Sequence, residues 1–443
     1  MKNKLSSILV LLLFYNTITA QEHKLLSLKD AISIAVSNSN EAQLSDIKVT
    51  TAKLELETMK NNQYPNVKVS GQWLQLTQAD VNSKLNSSNN SGNSSSSNSF
   101  PEVEQLILGQ VSANMPVFSG FKLKNSIAAS KKLYEAAKYT NNHSKEQIGL
   151  RVVELFSNLY KAQQMQNLLE DNLKSAHQRV LDFQAMEDNG LIAHNDLLKA
   201  QLQESNTQLA LETSKKNVSV VNYELNTFLK LPENTIIDID IDAVKKEMNN
   251  NKSMPFNGNR NDLSALQLQQ EASEKAIKVA QANYYPSISI VGGYIAFNIK
   301  NVLEVSNAMN IGVGLSYDLS NIFKNKKEVK LAESKSNEIK QATSILSDRI
   351  KEESHEAEEN YKLSLKQAIV YDKAVEQAAE NYRILKDKFD NGIATTNDLL
   401  EADVEDLKAK INQALSKADV AQKYYELQFT TGKLLSSLNI VQN

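Results

Sequence analysis

The chain of 443 residues has no cysteine, which excludes disulfides, thiol catalysis and an acylated N-terminal cysteine together. It has only six prolines, and aromatic residues make up 6% of it; both figures fit a largely helical protein. After the first twenty residues no stretch reaches the roughly 18 apolar residues that a transmembrane helix requires. A strong charge of either sign is also missing. The formal net charge is −3, and without a basic patch nucleic acid is not an expected partner. The five histidines, at 23, 143, 177, 194 and 355, lack ligand spacing. "IDIDID" at 237–242 lacks the glycine and the terminal glutamate of a calcium loop. No nucleophile stands beside a base, so neither an enzyme nor a metal or cofactor site is expected.

At the N-terminus Lys2 and Lys4 precede the apolar run "ILVLLLF", and Ala20 ends "TITA". This reads as a secretory signal peptide over 1–20. Its removal takes the two lysines and shifts the charge from −3 to −5.

The positions of proline and glycine organise the rest. Between Phe323 and Asn391 neither occurs, and from Phe121 to Asn189 the one breaker is Gly149. Helix interiors exclude proline and tolerate glycine poorly, so the spacing predicts long helices over 121–187 and 323–389, each about 100 Å at 1.5 Å per residue. Apolar residues follow steps of four and three at Leu169, Leu173, Ala176, Val180 and Phe183, and again at Val375, Ala378, Tyr382, Leu385 and Phe389. After each turn the step continues, at Val218, Val221, Leu225 and Phe228 and at Val404, Leu407, Ile411, Ala414, Ala418, Ala421 and Tyr425. These are coiled-coil seams, predicting partner helices over 195–230 and 398–435.

Elsewhere the period is two. In "MNIGVGLSYDL" the residues Ile311, Val313, Leu315, Tyr317 and Leu319 alternate with polar ones, as Val111, Ala113, Met115 and Val117 do. Strands are predicted near 65–77, 105–119, 286–297 and 309–319. Trp73 and Tyr294 hold equivalent places and suit either an interfacial aromatic belt or packing outside a barrel.

The two halves repeat one another. "DNGLIAHNDLL" at Asp188–Leu198 returns as "DNGIATTNDLL" at Asp390–Leu400, and Val111–Lys122 answers Val313–Lys324. The first half carries an extra polar tract, "NSSNNSGNSSSSNS", with no capacity to pack. The expected organisation is a first repeat over 21–231, a linker over 232–261 and a second repeat over 262–443. Four strands cannot close a barrel, and an open edge cannot be left in lipid. Entry into a membrane would therefore require oligomerisation, and three copies would give twelve strands. The competing reading is two soluble hairpins packed on coils.

The order, spacing and duplication of Gly190 and Gly392, "NDLLKAQLQ" and "NDLLEADVE", "YYPSISIVGGY" and "PVFSGFKLKNSI" resemble the TolC-like outer-membrane efflux protein family. The resemblance covers essentially the whole mature chain. It implies a mostly α fold with transmembrane β, a homotrimer with a 12-stranded barrel in outer-membrane lipid, and a helical tunnel through a Gram-negative periplasm. It also implies a closable mouth at the two glycine turns, where a periplasmic adaptor protein and an inner-membrane transporter dock. The segment 232–261 and the C-terminal end resemble the family's equatorial region. The expected function is the exit duct of a tripartite efflux or type I secretion system; a periplasmic adaptor and a non-membrane coiled-coil scaffold are the alternatives.

Asp398 and Glu401 match the acidic pair that rings the entrance in that family. Residue spacing alone also allows Asp398 to cap its helix in a box with Thr395. Asn195 and Asp196 resemble a gate-latching polar pair, although Asn195 is equally suited to cap the helix. Phe389 occupies the family's aromatic position before the second glycine, while Ala394 stands where latched members have arginine. Gly190 and Gly392 most simply end helices in the left-handed conformation, and their exposed tips would meet the adaptor.

Overall fold

The computed structural model describes residues 23–77, 104–250, 260–300 and 303–440. The signal peptide and the Ser/Asn-rich tract lie outside the described residues. The elements run β1 (His23–Leu26), α1 (Leu28–Asn38), α2 (Asn40–Asn61), β2 (Asn66–Gln75), β3 (Gln105–Ser119), α3 (Lys122–Asp188), α4 (His194–Leu229), β4 (Ile236–Ile239), α5 (Ile241–Asn250), α6 (Asn261–Gln281), β5 (Ser287–Ile299), β6 (Leu303–Ser316), α7 (Asn321–Asp390), α8 (Thr396–Thr430) and α9 (Leu434–Ser437). The chain forms two compact units. Neither unit coincides with a sequence repeat, because each draws on both.

One unit comprises residues 49–137 and 265–343. Its sheet is antiparallel throughout, in the order β2-β3-β5-β6. Directly paired residues share a face. The register aligns Val69 with Val111, Val111 with Tyr294, and Tyr294 with Met309. Four residues along the strands, on the same face, Met115, Ile290 and Val313 line up in the same way. The result is one apolar face running across all four strands. On β6 its residues Met309, Ile311, Val313 and Leu315 are open, Ile311 by 87%. Lys68, Gln110, Ser112, Asn114 and Asn310 occupy the other face. Trp73 and Tyr294 both fall on the apolar face; the Tyr294 hydroxyl accepts from the Asn307 amide (3.2 Å) and donates to the Asn307 side chain (3.0 Å).

β6 starts earlier than the alternation suggested. Asn307 is in the left-handed region, φ 59°, and the pairing of β5 with β6 slips between Ile295 and Phe297. The slip breaks the period-two pattern before Met309, yet the strand continues back to Leu303. At its other end β6 stops at Ser316 rather than at residue 319. The Asp318 carboxylate accepts from the Ser320 amide (2.9 Å) and turns the chain into α7, leaving Tyr317 and Leu319 outside the strand.

The other unit takes residues up to Lys48, then 138–264, and 344 onward. Its core is built from α1, the middle of α3, the end of α4, and the C-terminal part of α8 with α9, including Ile32, Leu155, Leu159, Leu229, Tyr425 and Leu435. Gly149 lets α3 approach α9 closely: a Cβ there would meet the ends of the Leu434 and Leu435 side chains at 3.1 Å, so both would have to shift slightly to admit it. The "IDIDID" stretch is a structural element of this core. Its first part, β4, pairs in parallel with β1, with Leu26 opposite Ile239, and Ile237 is fully buried. Two four-residue strands far apart in sequence leave no periodicity to read.

Helix α8 stops at Thr430 instead of continuing to 435. Gly432 is left-handed, φ 70°, and the Lys433 amide returns to the Gln428 carbonyl (2.8 Å), closing the helix. Beside this turn, buried Arg260 donates to both carboxylate oxygens of Asp262 (2.9 and 2.7 Å) and to Glu353 (2.6 Å). Burial alone would raise the Asp262 carboxyl; the Arg260 hydrogen bonds and the charges of His143 and Arg260 outweigh it and hold the group below the ordinary carboxylate value.

Candidate functional site: the paired helical turns

Helices α3 and α4 meet at one turn and α7 and α8 at another, and the two turns share one backbone design. Gly190 has φ 69° and Gly392 φ 71°. The glycine amide bonds back to Glu187 (2.7 Å) or Phe389 (2.9 Å), and the next amide to Met186 or Lys388 (both 2.8 Å). This is the Schellman closure. The preceding Asn189 and Asn391 each donate from the side chain to the carbonyl four residues back (2.6 Å). Nothing lies within 4 Å of a Cβ placed on either glycine, so glycine is required for φ rather than for space. Just past them, Leu191 and Ile393 are exposed apolar side chains, a pair that sequence patterning had not singled out.

The turns differ where the second helix begins. At Thr395 a full capping box forms: the Asp398 amide donates to the Thr395 hydroxyl (3.2 Å), while the Thr395 amide (2.9 Å) and hydroxyl (2.7 Å) donate to the Asp398 carboxylate. The backbone bond first, then the hydroxyl bond, hold the Asp398 carboxyl below its ordinary value. Asp398 and Glu401 are both exposed, and Glu401 has no hydrogen-bond or ionic partner among the described residues.

In the first repeat the cap differs from the one expected. The N-cap is Ala193, with no side-chain cap bond. Asn195 lies inside the helix, exposed, because α4 starts one residue before the predicted 195. The capping role for Asn195 is therefore corrected. Asp196 pairs with Lys199 on its own helix (3.3 Å). His194 bonds Glu187 (2.7 Å) and His177 bonds Glu204 (2.7 Å), so two histidine–carboxylate contacts tie α3 to its neighbouring turn and helix.

Beneath the tips a small cluster joins the two hairpins. Phe183, Leu197, Ala200 and Leu399 are buried together, with Phe389 packed against them. The Phe183 and Phe389 rings stack at 5.4 Å and 22°. One helical turn away the contact becomes polar. Arg179 grips Asp403 with two bonds (3.0 and 2.8 Å) and donates to the Tyr382 hydroxyl (3.3 Å). The ionic side chains are 8% and 9% exposed. Burial opposes the guanidinium charge, but the bonds and charge of Asp403, with Tyr382, keep the Arg179 pKa above its ordinary value.

Sequence reading missed this ion pair. Its members stand 224 residues apart, and each reads alone as a solvated helix charge. The seam of α8 is accordingly displaced near the tip from the one predicted. Val404 is exposed, whereas Ala402, Asp403, Asp406 and Ala409 are buried; farther along, Ala418, Ala421 and Tyr425 are buried as the spacing requires.

The family model described as outer membrane efflux protein matches residues 66–227 and 257–433. No curated protein sequence matches the chain. Among solved structures, the chain is similar to the Campylobacter jejuni CmeC outer membrane channel, with 17% identity and a TM-score of 0.77, covering 92% of this chain and 86% of that one. The outer membrane protein VceC of Vibrio cholerae is similar at 14% identity and TM-score 0.74, covering 91% and 96%. The open state of the Neisseria gonorrhoeae MtrE outer membrane channel is similar at 14% and 0.71, covering 92% and 89%. At these identities the structural likeness speaks for the fold.

Proposed function

The chain belongs to the outer membrane efflux protein family, an exit duct located in the outer membrane, and on that premise we propose how it is built and gated. Three copies assemble. Their sheets close a 12-stranded barrel in the outer membrane, and their helices line a periplasmic tunnel. The observation that carries this reading is the continuous apolar face of a four-stranded sheet whose outer strands, β2 and β6, each have one edge unpaired among the described residues. Lipid accepts an apolar face, but it does not accept unpaired backbone edges. Pairing β6 of one copy with β2 of the next satisfies every edge.

The glycine turns then form a periplasmic mouth. Exposed Leu191 and Ile393, beside Gly190 and Gly392, are the surface offered to a periplasmic adaptor, which in turn couples the duct to an inner-membrane transporter. Asp398 and Glu401 from three copies place six carboxylates around the entrance, a ring that favours cations. Asn195 and Asp196 stand at the equivalent level of the first repeat, with Asp196 already engaged by Lys199. Closure rests on the Phe183–Phe389 stack and the Arg179–Asp403–Tyr382 contact, which answers for the arginine absent at Ala394. The test is reconstitution of the purified protein in planar bilayers. Stepwise, cation-preferring conductance is expected; a bilayer that stays silent at saturating protein would contradict the pore.

A further inference from the structure

In the unit that carries the sheet, both long helices begin with the same chemistry directly after a strand. Phe121-Lys122-Leu123-Lys124 opens α3, and Phe323-Lys324-Asn325-Lys326-Lys327 opens α7. Phe323 is 84% exposed and Phe121 is exposed too. The two helix starts are linked: Lys122 donates to the Asn283 side chain (3.1 Å), which donates to Glu328 (3.4 Å). They therefore lie at one level of the unit.

The lysines of α7 are the unusual part. Lys324, Lys326, Lys327 and Lys330 are all exposed, and none of their side chains has a hydrogen bond or ion pair among the described residues; the Asp318 carboxylate just before them is engaged by the Ser320 amide. Other lysines of the long helices include matched ones, Lys132 with Glu135 and Glu271 and Lys362 with Glu358 and Glu359; what sets the start of α7 apart is four unmatched lysines within seven residues. At the opposite end of the sheet Lys300 meets Glu104 (3.4 Å). Lys324, in the first turn of α7, also opposes the helix dipole, and neither α3 nor α7 has an acid in its first turn. An anion from outside would offset this concentration of positive charge.

Resting on the placement of the sheet in the outer membrane, we propose that the start of α7 is a docking surface for anionic phospholipid headgroups of the periplasmic leaflet. The exposed apolar face of β6 ends at Leu315, so the next layer along the chain is the one that meets headgroups. Phe323 and Tyr317 supply side chains suited to that boundary. The four lysines lay their apolar stems along it and present ammonium groups to phosphate. The surface holds the barrel at a fixed depth against the pull of its periplasmic partners.

The test uses full-length protein from outer membranes, delipidated in detergent and titrated with dioleoylphosphatidylglycerol or dioleoylphosphatidylcholine, with bound lipid counted by native mass spectrometry. Phosphatidylglycerol should bind at least about tenfold more tightly, less so at high salt. Replacing the four lysines with glutamine should bring phosphatidylglycerol binding down to the phosphatidylcholine level, a loss of at least about tenfold, leaving phosphatidylcholine unchanged. Replacing them with arginine should keep the preference, and Lys351→Gln should be silent. Because all four side chains are exposed, the variant is expected to fold. Equal binding of the two lipids, or wild-type affinity in the glutamine variant, overturns the proposal. Uptake of neither lipid overturns the membrane placement itself, a different result.

Discussion

Arg179→Leu should loosen both helical tips and raise the resting conductance of the duct. Removing the guanidinium leaves the Asp403 carboxylate buried without a cation, a change that costs about 3–5 kcal/mol when one partner of a buried pair is deleted. That is comparable with all the apolar stabilisation available nearby. The cluster beneath the tips has only four buried side chains, two of them alanine and leucine from α4, and a fully buried large apolar side chain contributes about 1.5–3 kcal/mol. The tips would open locally while the larger core around Leu155, Leu229 and Tyr425 stays folded. Hydrogen exchange should accelerate across 383–406, and cells should become sensitive to a hydrophilic antibiotic too large for general porins. The Arg179→Leu, Asp403→Leu double variant removes the stranded charge and should recover much of the exchange protection. Unchanged exchange and conductance in the single variant would show that the pair does not hold the mouth.

The Asp398→Asn, Glu401→Gln double variant should lose its cation preference, with the permeability ratio of potassium to chloride falling toward about 1. The capping role of Asp398 must be separated from the ring. Thr395→Val removes the hydroxyl of the capping box but keeps both carboxylates. If capping alone mattered, Thr395→Val would change selectivity as much as the double variant does; the ring requires that it leave selectivity nearly intact. The pH dependence has a definite sign. Because the folded Asp398 pKa is depressed by the Thr395 amide and hydroxyl, its charge and its contribution to the cap are complete above the ordinary carboxylate pKa. Both are lost only as pH falls through the lower folded value. Cation preference should therefore persist below about pH 4, and the double variant should show no such acid limb.

What the sequence made legible followed from local rules. The scarcity of proline and glycine marked the two long helices to within a few residues, and the single glycine inside one of them, Gly149, is carried within α3 rather than ending it. The duplicated Asn-Gly pair marked the turns because left-handed φ at Gly190 and Gly392 admits few other residues. Alternation marked the faces of β6 from Met309 to Leu315 but failed at Asn307, where a left-handed residue changes the register without changing composition. What depends on distant partners was not legible. The ion pair of Arg179 with Asp403 joins helices from different repeats, and the pairing of β1 with β4 joins two segments too short to show a period. Asn195 failed as a cap for a smaller reason. The helix begins with His194, and a good capping residue two positions late is simply a helix residue.

Barrel and mouth both depend on how many copies assemble. Native mass spectrometry of the protein extracted from the outer membrane, released gently from detergent, measures this directly. Pairing β6 with β2 between copies predicts a single species of three chains. A dominant monomer or dimer would leave strand edges open in lipid and would contradict both the barrel and the mouth assembled from its six tips.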